Sequence, residues 1–274
     1  MSSSTLPPIV LSFAASDPTG GAGVQADLLT LAAMGCHPLS VLTALTVQDT
    51  AGVEAIHAFD SDWLTDQARA VLEDMRVDAF KIGFVGSLDN VGAIAAVLAD
   101  YPDVPVVFDP VMASGRGDEM AGDEMICAMR DLLLPLTTVV TPNSLEARRL
   151  AAGEDEIDHR MPLSRCADIL LGLGTRYVLV TGTHENTPQV VNTLFAPDGE
   201  VRADAWDRLP GSYHGSGCTL ASALAACLAR GFDVAEAVQE AQEFTWQSLA
   251  AGFRPGMGQH IPDRFFWART EDSQ

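Results

Sequence analysis

Lysine is almost missing from this chain. Of 16 lysine and arginine residues in 274, only Lys81 is a lysine, set against 37 acidic residues and a formal net charge of −21. A balance this acidic argues against nucleic acid or an anionic membrane as partner. It leaves room for a phosphorylated small molecule, which needs only a local positive site. Disulfide chemistry is also lacking. The five cysteines, Cys36, Cys127, Cys166, Cys218 and Cys227, are odd in number and contain no CxxC, which fits buried thiols in a reducing compartment. No apolar run reaches membrane-spanning length. The early run "PIVLSFAAS" lacks the basic flank of a secretory signal and reads as a buried strand. Linkers, repeats and low-complexity segments are absent too. These absences predict a cytoplasmic enzyme or binding protein folded as one domain over residues 1–274.

What is present is an alternation of short apolar runs with helical segments. "IVLSFAAS", "PLSVLTALTVQ", "VDAFKIGFV", "VPVVFDPVM", "LTTVVTPN", "RYVLVTG" and "QVVNTLFAP" read as strands, the last antiparallel to the one before it. Between them, "VQADLLTLAAMG", "SDWLTDQARAVLEDM", "LDNVGAIAAVLADY", "DEMICAMRDLLLP" and "SLEARRLAAG" read as helices, and two more close the chain near 218–230 and 234–252. Continuously apolar strands alternating with helices predict a mainly parallel sheet covered on both faces. Ligands of such sheets bind beyond the carboxyl ends of the strands. Polar residues gather there: Ser16-Asp17 with "PTGGAG", Gln48-Asp49, Lys81, Asp109 with "PVMASGRG", Thr141-Pro142-Asn143 and Thr181-Gly182-Thr183-His184.

The glycine-rich stretches carry neither GxGxxG nor GxxxxGK[ST], so the dinucleotide and P-loop fingerprints are absent. "HGSGCTLASALAA" instead places Gly215, Ser216 and Gly217 before a small-residue helix. Free N–H groups and the helix dipole there suit an anion, although a glycine turn that only packs a helix tightly looks the same. Cys218 on that turn is a candidate acid–base group, its thiol acidified by the helix N-terminus. Asp27 lies off its helix's apolar stripe and can point back to the glycine loop; the plainer reading is an exposed helix carboxylate. Gln48 ends an apolar strand with an amide suited to a heteroaromatic ring edge. Lys81, alone in a buried strand, must reach phosphate or a carboxylate. Asp109 and Glu146 are candidate Mg²⁺ carboxylates, Glu146 otherwise being a helix-start acid. Arg116, between glycines, is a candidate mobile cation. Together these groups point to phosphoryl transfer without a Walker motif.

"SDPTGGAGVQADL", "VLTALTVQDTAGV", "KIGFVGS", "FDPVMASGRGD", "VVTPNSLEA", "VLVTGTH" and "HGSGCTLASALAA" together resemble the hydroxymethylpyrimidine/phosphomethylpyrimidine kinases of thiamine biosynthesis, almost end to end. The resemblance implies a ribokinase-like three-layer α/β sandwich, ATP as phosphoryl donor, Mg²⁺ as cofactor and a homodimer. It implies that Asp27 and Gln48 hold the aminopyrimidine, that Lys81 stands near the phosphates, and that Asp109, Asn143 and Glu146 organise Mg²⁺ and ATP. Thr181 and Gly182 would lie along the nucleotide, Gly215–Gly217 would form the anion hole, and Cys218 stands where many ribokinase-like sugar kinases carry a catalytic Asp. Ala15 and Phe84 replace the family's usual Gly and Met at the pyrimidine site. Thr181 replaces a Lys, and Gly115 stands in place of the lid Lys, with Arg116 beside it. Two rivals remain: a pyridoxal-type kinase on the same scaffold, and a catalytically weak pyrimidine- or nucleotide-binding protein.

Overall fold

A computed structural model of the chain describes residues 6–113, 117 and 120–268. Its strands are β1 (Ile9–Ser16), β2 (His37–Gln48), β3 (Val53–Ala58), β4 (Ala79–Ile82), β5 (Val106–Phe108), β6 (Val139–Val140), β7 (Tyr177–Val180), β8 (Gln189–Ala196) and β9 (Gly199–Asp207). They form one sheet in the order β3-β2-β1-β4-β5-β6-β7-β8-β9. The six from β2 to β7 pair in parallel, and antiparallel strands close both sides.

The helices are α1 (Gly23–Ala33), α2 (Ser61–Asp74), α3 (Leu88–Ala99), α4 (Asp123–Ala128), α5 (Ser144–Ala152), α6 (Leu163–Gly172), α7 (Ser216–Ala229) and α8 (Val234–Ala250). Strand residues alternate between two cores. Leu11, Phe13, Phe80 and Ile82 face a core shared with α2 to α6. Val10, Ala79 and Val107 face a second core shared with α1, α7 and α8. Small residues dominate α7, where Ala221, Ala223, Ala225 and Ala226 are fully buried, so this helix packs closely on the sheet. Among the described residues no helix is long and apolar enough to cross a membrane.

Three elements escape the apolar pattern. β3 is mostly exposed at the sheet edge and carries no buried face to signal it. β9 forms the other edge, exposed or half-buried throughout. The amphipathic α6 follows the polar stretch 153–162. The helix expected over "DEMICAMRDLLLP" is α-helical only to Ala128; a π turn over Met129–Leu133 and a 3₁₀ turn over Leu134–Leu136 complete it. Pro135 lacks the N–H that further α-helix requires.

Candidate active site

The period-two alternation that buries Leu11 and Phe13 on one face turns Ser12 to the other, and in β4 it does the same to Lys81. The two are register partners across β1 and β4. Both oxygens of Asp27, from α1, lie 2.9 Å from Lys81 Nζ. Asp27 also accepts hydrogen bonds from Ser12 Oγ at 2.5 Å and from Ser222 Oγ of α7 at 2.8 Å. All four residues are fully buried. Burial works against the Lys81 charge, but Asp27, with Cys218 and Asp109 nearby, outweighs it and raises the ammonium above its ordinary range. Asp27 is therefore no exposed helix carboxylate. Nor does it line the cavity: its oxygens are committed to Lys81 and two hydroxyls beneath the floor, which displaces it from a direct hold on a ring.

Above this floor, along the carboxyl edge of the sheet, lies a cavity of about 1080 Å³. Asp109 follows β5 on the side that faces α7. It is buried, and among the described residues its Oδ2 has no hydrogen-bond partner. Burial pushes its carboxyl up to about 6, against the pull of Lys81 and a hydrogen bond with Cys218. Asn143 and Glu146 form a capping box on α5: Asn143 Oδ1 accepts from the N–H groups of Leu145 and Glu146, and Glu146 Oε2 accepts from the Asn143 N–H at 2.8 Å. Burial, and Asp109 second, push Glu146 up to about 8. Two carboxylates that resist ionisation, one with an unpartnered oxygen, fit a divalent cation that retains waters and phosphate oxygens as its other ligands.

The GSGC turn faces this pair. Gly215 caps α7 in the left-handed region, at φ 82°, and a Cβ there would lie 1.8 Å from the Gly21 carbonyl oxygen. Only glycine fits. At Gly217 a Cβ would point at Asp109, 3.7 Å from Oδ2, into the space between turn and carboxylate. Ser216 and Cys218 also line the cavity. The expected acidification of Cys218 does not occur. Burial raises its thiol to about 12, and Asp109 and Asp27 add to the rise, outweighing Lys81 and the Gly23 N–H. Cys218 is thus a protonated thiol beside Asp109.

One end of the cavity is mainly apolar. Ala15 and Phe84 pack there with Ala44, Val111 and Met120. Gln48 closes it, its Oε1 accepting from Thr46 Oγ1 at 3.0 Å and its Nε2 lying 2.9 Å from His214 Nε2. His214 in turn sits 2.7 Å from Asp17 Oδ2. Burial raises Asp17, but hydrogen bonds from His214, Ala22 and Thr19 hold it below the ordinary carboxylate range. At the other end lie Asn143, Thr181, Thr183, Asn192, Trp206 and Gln242. Thr181 bridges Asn143 in parallel, and Gly182 donates its N–H to buried Asn192, which donates to Gln242. Gly115 and Arg116 lie outside the described residues.

Sequence reasoning singled out neither His214 nor the Asn192–Gln242 pair. His214 adjoins the GSGC turn, and that adjacency was the available signal. Asn192 and Gln242 are ordinary polar residues in a strand and a helix, 50 positions apart.

The family described as phosphomethylpyrimidine kinase matches residues 17–263. A hydroxymethylpyrimidine/phosphomethylpyrimidine kinase of Streptomyces coelicolor is 40% identical over 256 residues, covering 92% of each chain. The crystal structure of a phosphomethylpyrimidine kinase from Clostridium difficile superposes with a TM-score of 0.75 at 33% identity, covering 88% of this chain and 99% of that one. A pyridoxal kinase from Staphylococcus aureus, solved in complex with ADP, superposes with a TM-score of 0.86 at 28% identity, covering 97% of both. The three-layer architecture is thus that of the ribokinase-like kinases, and by sequence the chain belongs to the phosphomethylpyrimidine kinase family.

Proposed function

We propose that this protein transfers the γ-phosphoryl group of ATP to the hydroxymethyl group of 4-amino-5-hydroxymethyl-2-methylpyrimidine, and then phosphorylates the resulting monophosphate to the diphosphate, as a step of thiamine biosynthesis. One observation carries the reading. The cavity joins an apolar end, where Ala15 and Phe84 pack beside the Gln48 amide, to a GSGC turn flanked by Asp109 and Cys218. The sequence kinship to phosphomethylpyrimidine kinases supports the choice of ring.

In this reading Ala15 and Phe84 enclose the ring and Gln48 reads its polar edge. Asn143, Thr181 and Gly182 border the nucleotide. The amides of Gly215, Ser216 and Gly217 receive the phosphoryl oxygens as charge develops, a contribution that depends on donors fixed before reaction. Asp109 and Glu146 would hold Mg²⁺, which would supply charge neutralisation for the ATP phosphates. Lys81, paired with Asp27, forms part of the cavity lining beneath the phosphates. The Cys218 thiol cannot accept a proton while it keeps its own. Its place beside Asp109 offers a relay: Sγ takes the hydroxymethyl proton as it passes its own to the Asp109 carboxylate. Arg116 is the candidate to cover the transferring group.

The solved pyridoxal kinases, with their high TM-scores, favour a second acceptor, pyridoxal, on the same machinery. ADP release measured with hydroxymethylpyrimidine, its phosphate, pyridoxal and pyridoxine separates the readings. Turnover of both pyrimidines is expected. Turnover of the pyridines alone would overturn the acceptor assignment, and none at all would leave a binding protein. A homodimer is part of the same reading; exposed Leu45 and Val47, two apart on one face of β2, support it, and light scattering measures it.

A further inference from the structure

The chain after α8 turns back to the site. His260 accepts from the His214 N–H at 2.8 Å and donates its own N–H to Ser212 at 2.9 Å, laying the tail alongside the approach to the GSGC turn. Four residues later Arg264 is buried, 3% exposed. Its Nε donates to Thr219 Oγ1 at 3.1 Å, and its two terminal nitrogens donate to the carbonyls of Gly20 at 3.3 Å and Gly21 at 2.6 Å. Thr219 Oγ1 passes the contact on, donating to the Gly215 carbonyl at 2.8 Å. Gly215 itself rests against the Gly21 carbonyl. One side chain therefore fastens the "PTGGAG" turn after β1 to the first turn of α7.

A buried guanidinium ordinarily meets a carboxylate. Among the described residues none lies within ion-pair reach of Arg264. Burial pushes it down to about 10, so it remains a cation at neutral pH. Three of its five N–H donors go to backbone and hydroxyl oxygens, and its charge is left to act on the region of Cys218, Asp27 and Asp17.

We propose that Arg264 is a positioning residue for phosphoryl transfer: its fork locks the Gly20–Gly21 turn against the N-terminus of α7, and its charge lies behind the GSGC turn where the transferring group's charge develops. The proposal rests on the kinase reading. Displacing reacting groups by small distances lowers turnover more than affinity, and a preorganised charge acts on the transition state.

The test compares wild type, Arg264→Ala and Arg264→Lys by ADP release with hydroxymethylpyrimidine, by thermal unfolding, and by binding of a nonhydrolysable ATP analogue read from tryptophan fluorescence. An inactive wild type would sink the kinase reading; the proposal is judged on the variants against an active one. Arg264→Ala is expected to lose kcat by about tenfold or more with KM values nearly unchanged. Millimolar guanidinium is expected to restore kcat, while urea of the same shape and concentration is not. Wild-type kcat in folded Arg264→Ala, or equal rescue by urea, would overturn the proposal. If Arg264→Ala does not fold, Arg264→Lys decides: it keeps the charge without the fork and is expected to lose kcat about threefold or more. A fully active Lys variant would overturn the fork's role.

Discussion

At Asp27 one carboxylate holds three partners in the interior, and its removal would strand a buried ammonium. Asp27→Asn is therefore expected to cost about 3–5 kcal/mol of stability, the usual result of breaking a buried ion pair from one side. Urea unfolding measures it. A stable variant with only a raised pyrimidine KM would show that Asp27 touches the ring after all. Cys218 is predicted to divide the two reactions. A hydroxymethyl group must lose a proton on attack, whereas a phosphate monoester, with a second pKa of about 6, is already largely dianionic. Cys218→Ala should slow the first phosphorylation by on the order of a hundredfold and leave the second nearly intact. Equal losses in the two steps would assign Cys218 to placing the turn. With the thiol at about 12, a relay to Asp109 takes the place of a free thiolate. The helix N-terminus was legible in the sequence; the burial that overrides it was not, because desolvation depends on what β4, β5 and α1 bring against α7.

At the scale of the element, α7 matters most for how it begins. At Gly217 no side chain enters the space between that first turn and Asp109. Gly217→Val should lower kcat for both steps about equally, by on the order of a hundredfold, since both reactions move the same γ-phosphoryl group. Losses confined to one step would contradict a shared anion hole. Gly215→Ala acts differently: a left-handed φ and a clash with Gly21 place its effect on folding, at least about 1 kcal/mol by thermal unfolding. The sequence announced this turn through its glycines. It announced the α5 capping box through Asn143 and Glu146 three residues apart. It could not announce β3 or β9, whose residues face water on a sheet edge and so lack the apolar signature of the central strands.

For the whole molecule, the two raised carboxyl groups set a pH dependence. Asp109 moves from 3.8 to about 6 and Glu146 from 4.5 to about 8. A carboxyl raised in the fold binds its proton more tightly there than in the unfolded chain. Its contribution is complete below pH 4 and is lost as pH rises, through about 6 for Asp109 and about 8 for Glu146. The protein without ligands should therefore lose stability across this window, and Glu146→Gln should flatten the upper half of the profile. A profile of Tm against pH with the same slope in wild type and Glu146→Gln would refute the shift.

The sequence by itself determined the alternation of strand and helix, the mainly parallel sheet, and the strand-end positions where chemistry gathers. These follow from local periodicity, turn residues and the rule that such sheets bind ligands at their carboxyl edge. Only the tertiary structure decided which of those groups meet. It sent Asp27 beneath the floor to neutralise Lys81, set His214 between Gln48 and Asp17, and brought Arg264 from the far end of the chain behind the GSGC turn. Partner choice and burial depend on residues 54, 197 and 243 positions apart. No local pattern encodes such distances, and desolvation exists only once the layers close.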